Sequence, residues 1–401
     1  MEQKILIVAA GPLQIPAIEE AKALGVRTVA IDGNSSAPGL RLADKGIVVD
    51  IRDVPAVIAT ARREDISGVM TLCTDQPVNT VAAVGEALGL PTLTRPAAAN
   101  ATDKRLMRAE LSRQEVACPQ SFEVQDIESA LAAADKVGYP VALKIAQSSG
   151  SRGVYRVSSS DELRKYFPLA RGYQPDGALL LEEWVDGPEV SVEGICFAGC
   201  THIVQITDKS LYSGASPVES GHTQPSRLPG MVQEAIRACA KAGVEALGLA
   251  DTAFHAELKV TNRGPMIIEI GARLGGDRIA THLTRISTGI NLVKATLEVA
   301  LGRVPDVRPK SSKGAAIRYF ESRRCGILEA VDGLEEISAM QGLELFFAAS
   351  ERDGPLGKGF RINPIQSSLD RYGHVIFSGE NAEQAAKKAE MAVRRVVFRF
   401  T

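Results

Sequence analysis

A single Trp and an aromatic content of 5% leave few flat side chains to stack on bases, which argues against a single-stranded nucleic-acid platform. Charge of one sign is missing too: 46 Lys and Arg face 48 Asp and Glu, a net charge of −2. Neither nucleic acid nor an anionic membrane is therefore an expected partner. No apolar run is long enough to span a bilayer. The N-terminus, MEQKILIVAAG, enters a strand pattern at once, without the basic stretch, apolar segment and cleavage site of an export signal. A cytoplasmic protein is expected. The six cysteines are scattered at 73, 118, 196, 200, 239 and 325. Cys196 and Cys200 form C-x-x-x-C, but no second pair or His cluster completes a tetrahedral metal site. Core thiols in a reducing compartment are the expectation. A dinucleotide fingerprint is absent as well. AAGPLQIP at 9–16 lacks the G-x-G-x-x-G spacing, and Pro12 stands where such a turn needs a flexible residue.

What is present is an ordinary globular composition, 45% hydrophobic and 23% charged over 401 residues, enough for two or three domains. Strand patterns at 4–10, 26–31, 45–50 and 68–71 alternate with helical patterns at 14–24, 55–63 and 80–88. That alternation predicts a parallel sheet with helices on both faces. Thr74-Asp75-Gln76-Pro77 follows the fourth strand, and Thr74 or Asp75 is expected to cap the next helix. Pro91 and Pro96 bracket a boundary. A helix over 99–113 comes next, then strands at 141–145, 178–185 and 189–194. A long irregular stretch at 210–228 contains His222 and Arg227, and helices are expected at 230–247 and 277–301. After a polar linker at 302–313 the pattern is strand-rich, with strands at 315–320, 327–329, 343–348 and 373–378 and a closing helix at 382–395.

The chemistry concentrates between 254 and 277. Glu257 and Glu269 each lie in a short apolar run, and Asn262-Arg263-Gly264 between them reads as a hairpin turn. Antiparallel strands joined there can point both acids to one face. Paired carboxylates that are partly buried need a cation, and oxygen donors suit Mg²⁺ carrying nucleotide phosphates. Gly271-Ala272-Arg273-Leu274-Gly275-Gly276 adds an anion-binding Arg273 and glycines that let backbone approach a ligand. Taken alone, the same residues also fit a surface hairpin with solvated acids. Upstream, Lys144 sits among apolar neighbours and calls for an anion. Ser148, Ser149, Gly150, Ser151 and Gly153 follow it as a loop whose free N–H groups can wrap phosphate oxygens. This is not the G-x-x-x-x-G-K-[ST] loop, because no Lys-Ser or Lys-Thr closes it. Such a loop is expected to close over nucleotide as a lid. Strand-edge backbone from Glu183 to Val185 can read an adenine edge, and Glu189 can accept from ribose hydroxyls.

In this order, Lys104, Lys144, the 148–154 loop, Glu182-Glu183-Trp184-Val185, Glu189, Glu257 and Glu269 resemble the ATP-grasp superfamily. GHTQPS at 221–226, EIGARLGGD at 269–277, AAIRYF at 315–320 and RYGHVIFSG at 371–379 resemble its carboxylate–amine ligases, the L-amino-acid ligase branch. The resemblance implies an α/β fold with an N-terminal parallel α/β domain (1–96), an ATP-grasp region (97–302, with a mobile lid at about 115–187) and a C-terminal α+β, strand-rich subdomain (303–401). It implies ATP and Mg²⁺ or Mn²⁺ as cofactors, and small-molecule carboxylate and amine substrates. It is compatible with a homodimer. Lys104 and Lys144 would hold phosphates beneath the 148–153 backbone. Glu182, Glu183, Trp184 and Val185 would form the adenine strand, and Glu189 the ribose contact. Glu257 and Glu269 would bind metal. Arg273 would bind the substrate carboxylate and steady its acyl phosphate, and His222 would lie near the amine or acyl site. One position departs from the pattern: many members carry Asn two residues after the second acid, where this chain has Gly271. Two other functions share these motifs: a bicarbonate- or formate-activating enzyme of the purine-synthesis or carboxylase type, and a nucleotide-binding protein without turnover.

Overall fold

The computed structural model describes residues 3–146, 153–212, 218–322, 324–350, 354–365 and 367–401. Ser148, Ser149, Gly150 and Ser151 of the expected phosphate loop lie outside the described residues. The apolar run at the N-terminus forms β1 (Lys4–Val8), from which Ile5 to Val8 are fully buried. With β2 (Arg27–Asp32), β3 (Lys45–Val48) and β4 (Gly68–Met70) it makes a parallel sheet in the order β3-β2-β1-β4. Helix Ile15–Ala23 connects β1 to β2 and helix Val54–Glu64 connects β3 to β4, and helix Val78–Leu88 follows β4, as the alternation predicts.

A small antiparallel sheet follows: β5 (Ser121–Val124), β6 (Val141–Ile145), β7 (Tyr155–Val157) and β8 (Leu179–Glu183), in the order β5-β8-β6-β7. Helices Ile127–Val137 and Ser160–Tyr173 back it and share its separate apolar core. The chain continues through β9 (Glu189–Phe197), β10 (Cys200–Leu211), β11 (Glu219–Gln224), β12 (Thr252–Thr261) and β13 (Gly264–Gly271). Then come β14 (Gly314–Tyr319), β15 (Gly326–Asp332), β16 (Leu343–Ser350), β17 (Gly354–Pro355), β18 (Arg361–Ile362), β19 (Tyr372–Gly379) and β20 (Val397–Phe400). Nine of these strands form one sheet, β13-β12-β9-β10-β11-β14-β19-β16-β17. Strands on both sides of residue 303 share it, because β11 pairs β14 directly. The main core joins residues of β1 and β2 to residues of β9, β12 and β13.

Several local expectations change. The helix over 99–113 is two helices, Arg95–Thr102 and Lys104–Arg113. Asp103 breaks it with an extended backbone and caps the second by accepting from the Arg105 N–H. Asp75 does not cap the helix after β4, which starts behind Pro77 with no side-chain cap. Residues 210–228 are less irregular than expected, since Leu211 ends β10 and β11 occupies Glu219–Gln224. The helix over 277–301 is broken into a π-turn Ile279–Leu283, helix Thr284–Thr288 and helix Leu292–Ala300. Gly289 at φ +74 stops the chain there, and Asn291 caps the restart. All six thiols are free, but Cys200 and Cys325 are exposed rather than core. No helix among the described residues is long and apolar enough to cross a membrane.

Candidate active site

The two-residue turn Asn262-Arg263 closes the hairpin, and its register sets Glu257 directly opposite Glu269. A shift in the ladder just after Glu257 interrupts strict alternation at that point. Both side chains line a cleft between the β6–β8 sheet and the nine-stranded sheet. Lys104, Lys144, Glu183, Trp184, Val185, Glu189 and Arg273 line the same cleft. Nine residues proposed from sequence, spread over 170 positions, thus meet at one place.

Each acid already faces a cation. The Lys104 ammonium lies 2.9 Å from Glu269 Oε1. Glu257 Oε1 meets Lys209 Nζ at 3.1 Å and His255 Nε2 at 3.3 Å. Burial by itself would raise the Glu257 carboxyl, but Lys209 and His255 outweigh it and hold it well below the usual carboxylate range. Lys209 is almost fully buried and also reaches Glu189 at 2.6 Å and Glu219 at 3.5 Å. His255 in turn binds the wholly buried Glu193 through Nδ1. Burial favours the neutral imidazole, yet Glu193 and Glu257 together push its pKa up to about 9.

Below the cleft, Lys144 Nζ donates to Glu182 Oε2 at 2.7 Å. Glu182 is fully buried, and Arg108 grips its two oxygens at 2.8 and 3.2 Å. Burial raises the Glu182 carboxyl, but Arg108 and Lys144 bring it down to about 2. The Glu182 side chain is therefore committed to these two cations and does not line the cleft, and its backbone lies inside the sheet between β5 and β6. Trp184 does line the cleft, with Lys259 Nζ 5.0 Å and Arg156 Cζ 5.4 Å from its ring centre. Gly153 takes φ +67 against Ile145 and is not itself part of the lining, although Val154 is.

Arg273 holds Asp75 through Nε at 2.9 Å and Nη2 at 3.1 Å. This pair ties the loop after β4 to the loop after β13. Gly271 makes room for it: a Cβ there would come within 3.0 Å of both Arg273 Cζ and Asp75 Oδ1. The missing Asn of the superfamily pattern thus coincides with an arginine–aspartate pair occupying that space. His222 is 1% exposed and lies outside the cleft lining. Its Nε2 sits 3.0 Å from Asp277 Oδ2, so it braces Asp277 rather than facing the two metal-site acids.

Sequence reasoning missed Lys209, His255, Glu193, Asp75 and Arg108. Some of them carried a signal. Glu193 is a charge inside an apolar strand, as Glu257 is. Lys209 lies in β10, immediately before the stretch that the sequence marks as irregular. Asp75 follows a parallel strand at its carboxyl end, where open α/β sheets bind ligands, although a helix cap was the expected role, and Arg108 carried no signal of its own.

A lid-like antiparallel sheet over a large sheet, with opposed carboxylates and converging lysines between them, defines the ATP-grasp class of protein. Residues 137–281 match the ATP-grasp domain family, 18–92 the ATP-grasp N-terminal domain and 318–401 the L-amino acid ligase C-terminal domain 2. The chain thus carries an ATP-grasp domain between an ATP-grasp N-terminal domain and an L-amino acid ligase C-terminal domain. It is 27% identical to the alanine–anticapsin ligase of Bacillus subtilis over 237 residues, 53% of this chain and 50% of that protein. It is 29% identical to human carnosine synthase 1 over 213 residues, 48% of this chain and 24% of that protein. The chain thus matches half the length of these curated relatives or less. The crystal structure of L-amino acid ligase from Bacillus licheniformis superposes with a TM-score of 0.84 at 23% identity, covering 100% of this chain and 99% of that one, a likeness of fold.

Proposed function

We propose that the protein is an ADP-forming carbon–nitrogen ligase that activates an amino acid carboxylate as an acyl phosphate and joins it to an amine. The observation that carries this reading is the opposition of Glu257 and Glu269 in a cleft that also holds Lys104, Lys144 and Arg273. The likeness to alanine–anticapsin ligase and carnosine synthase supports amino acid chemistry for this site.

The two acids fit magnesium. They are hard oxygen donors placed side by side, and each faces a lysine ammonium. Among the described residues no group of three or more acidic, His or Cys side chains forms a complete cage. The remaining ligands would be phosphate oxygens and water, as is usual for Mg²⁺. Bound there, the ion would offset the charge of the triphosphate at the transferred phosphoryl group.

The chain's own residues do the rest. A carboxylate is a poor electrophile, because oxide would have to leave. Phosphorylation by ATP supplies a good leaving group, but it brings two anions together. Lys104 and Lys144 hold phosphate oxygens, and Lys144 is itself oriented by Glu182. Arg273, oriented by Asp75, neutralises the substrate carboxylate and then the acyl phosphate. An uncharged amine attacks the acyl carbon, the C–O bond to phosphate breaks, and the amine proton leaves with solvent. Among the described residues that line the cleft there is no serine or cysteine, and direct transfer needs none.

The test is a screen of amino acid pairs with ATP and Mg²⁺ that reads phosphate release and product mass together. The expected result is stoichiometric ADP, phosphate and an amide from at least one pair. Turnover with bicarbonate or formate alone, and none with any pair, would assign the site to the purine-synthesis or carboxylase type. No phosphate under any condition would leave a nucleotide-binding protein without turnover.

A further inference from the structure

A second, smaller cavity is lined by the last residues of the loop that follows β13. Cys73 contributes from the loop after β4, Gly276, Asp277 and Arg278 from the loop after β13, and Tyr319 and His374 from β14 and β19. The two loops that meet here are the ones the Arg273–Asp75 pair ties together at the cleft. Arg273 and Arg278 are five residues apart, so their backbones are at most about 18 Å apart. That is within reach of a substrate pair reacting at the cleft.

Three features set the cavity apart from an ordinary packing gap. Its backbone is strained: Cys73, Asp277 and Arg278 have φ of 55, 52 and 61, where side chains with a Cβ are disfavoured. A π-turn starts at Ile279 immediately after them, a backbone irregularity that often marks functional positions. A Cβ added at Gly276 would meet nothing within 4 Å, so this part of the wall faces open space.

The charges in the cavity do not balance. Its carboxylate, Asp277, is spent: Arg371 takes both oxygens at 2.5 and 2.8 Å, and His222 takes one at 3.0 Å. Arg371 also lies over the Tyr319 ring, 3.8 Å from its centre. Arg278 is half-buried, and among the described residues its guanidinium has no hydrogen-bond or ion-pair partner. The histidines nearby add no compensating charge. His374 is 3% exposed, and burial, Arg278 and Arg371 push its pKa down to about 3. Its buried Nε2 has no hydrogen-bond partner. His282, beside the cavity residue Thr281, is pushed down to about 4 by burial and by Arg278 and Arg285. The Cys73 thiol is held protonated by burial, with a pKa pushed up to about 12, and donates to the Gly275 carbonyl at 3.2 Å. Among the described residues the cavity therefore presents one guanidinium with no acid of its own, in a site where an unmatched charge is costly.

We propose that this cavity binds a substrate carboxylate that is not activated in the reaction, and that Arg278 is the group that holds it. The inference rests on the ligase reading above. The natural source is the α-carboxylate of an amine-bearing amino acid, which remains free in an amide product. A side-chain carboxylate on the acyl donor carries the same chemistry.

The experiment takes the amino acid pair that releases most phosphate from the wild-type protein. Each substrate is then compared with its carboxamide analogue, in wild type, Arg278→Met and Arg278→Lys. The expected result is that wild type prefers the free acid of the amine donor. Arg278→Met should raise KM for that acid about 10- to 100-fold, the scale of one charge-assisted bond. It should also erase the preference over the carboxamide while leaving KM for ATP unchanged, and Arg278→Lys should keep part of the preference. If the loss appears only with the acyl donor's side-chain amide, the carboxylate belongs to that substrate and the site stands. A preference that survives in Arg278→Met, or is absent from wild type, overturns the site. Thermal shift with each of the twenty amino acids at 10 mM, read on the same proteins, needs no turnover. Stabilisation that Arg278→Met loses upholds the site even if no pair reacts and the ligase reading fails. Stabilisation that persists, or is absent from wild type, overturns it.

Discussion

Replacing Glu269 by Gln is expected to lower ADP formation about 10²- to 10³-fold, the scale seen when one electrostatic stabiliser of a transition state is removed. The substitution keeps the shape of the side chain and removes its charge. Two consequences follow from the geometry. A metal held as proposed would lose one of its two protein carboxylates, and the Lys104 ammonium, 2.9 Å away and almost fully buried, would lose its counter-ion. Lys104 would then compete for phosphate oxygens, so nucleotide binding should suffer less than turnover. Steady-state phosphate release, with ATP affinity measured in parallel, separates the two. A variant with unchanged turnover would remove Glu269 from the mechanism.

Glu182→Leu should have the largest effect on stability, about 3–5 kcal/mol, because it strands two buried cations at once. Arg108 and Lys144 both depend on this carboxylate, and both are buried, Lys144 at the wall of the cleft. Urea unfolding measures the difference directly. The pH dependence has a definite sign. The carboxyl sits at about 2 in the folded chain, against an ordinary value of 4.5. Its contribution is therefore complete above pH 4.5 and disappears as pH falls toward 2. The stability gap between wild type and Glu182→Gln, the isosteric variant, should be flat above pH 4.5 and shrink below it. A gap that stays constant down to pH 2 would mean that Glu182 is not held ionised by its neighbours. The same variant should weaken phosphate binding, since Lys144 loses the contact that orients it.

Strand content was largely legible because the signal is local. Alternating apolar runs, the two-residue turn at Asn262-Arg263 and the βα alternation at the N-terminus depend on neighbours in sequence. The acids Glu257 and Glu269 were legible for a related reason: charge inside an apolar run is costly and therefore meaningful. Long-range electrostatics was not legible. Asp75 and Arg273 are 198 residues apart, and Lys104 and Glu269 are 165 apart. No local pattern announces either pair. Glu182 shows the same limit from the other side. Its place in the EEWV run marked a nucleotide strand, but only the fold shows that its side chain turns away from the cleft to Arg108. The break at Asp103 was missed because Asp is tolerated in helices and becomes decisive only where the chain must turn.

The most direct measurement of the central claim follows oxygen. With ¹⁸O in both carboxylate oxygens of the acyl donor, the account predicts that each amide formed is accompanied by one phosphate carrying one ¹⁸O atom, because the acyl C–O bond breaks after that oxygen has been phosphorylated. Phosphate free of label, released at the same rate as amide, would contradict it.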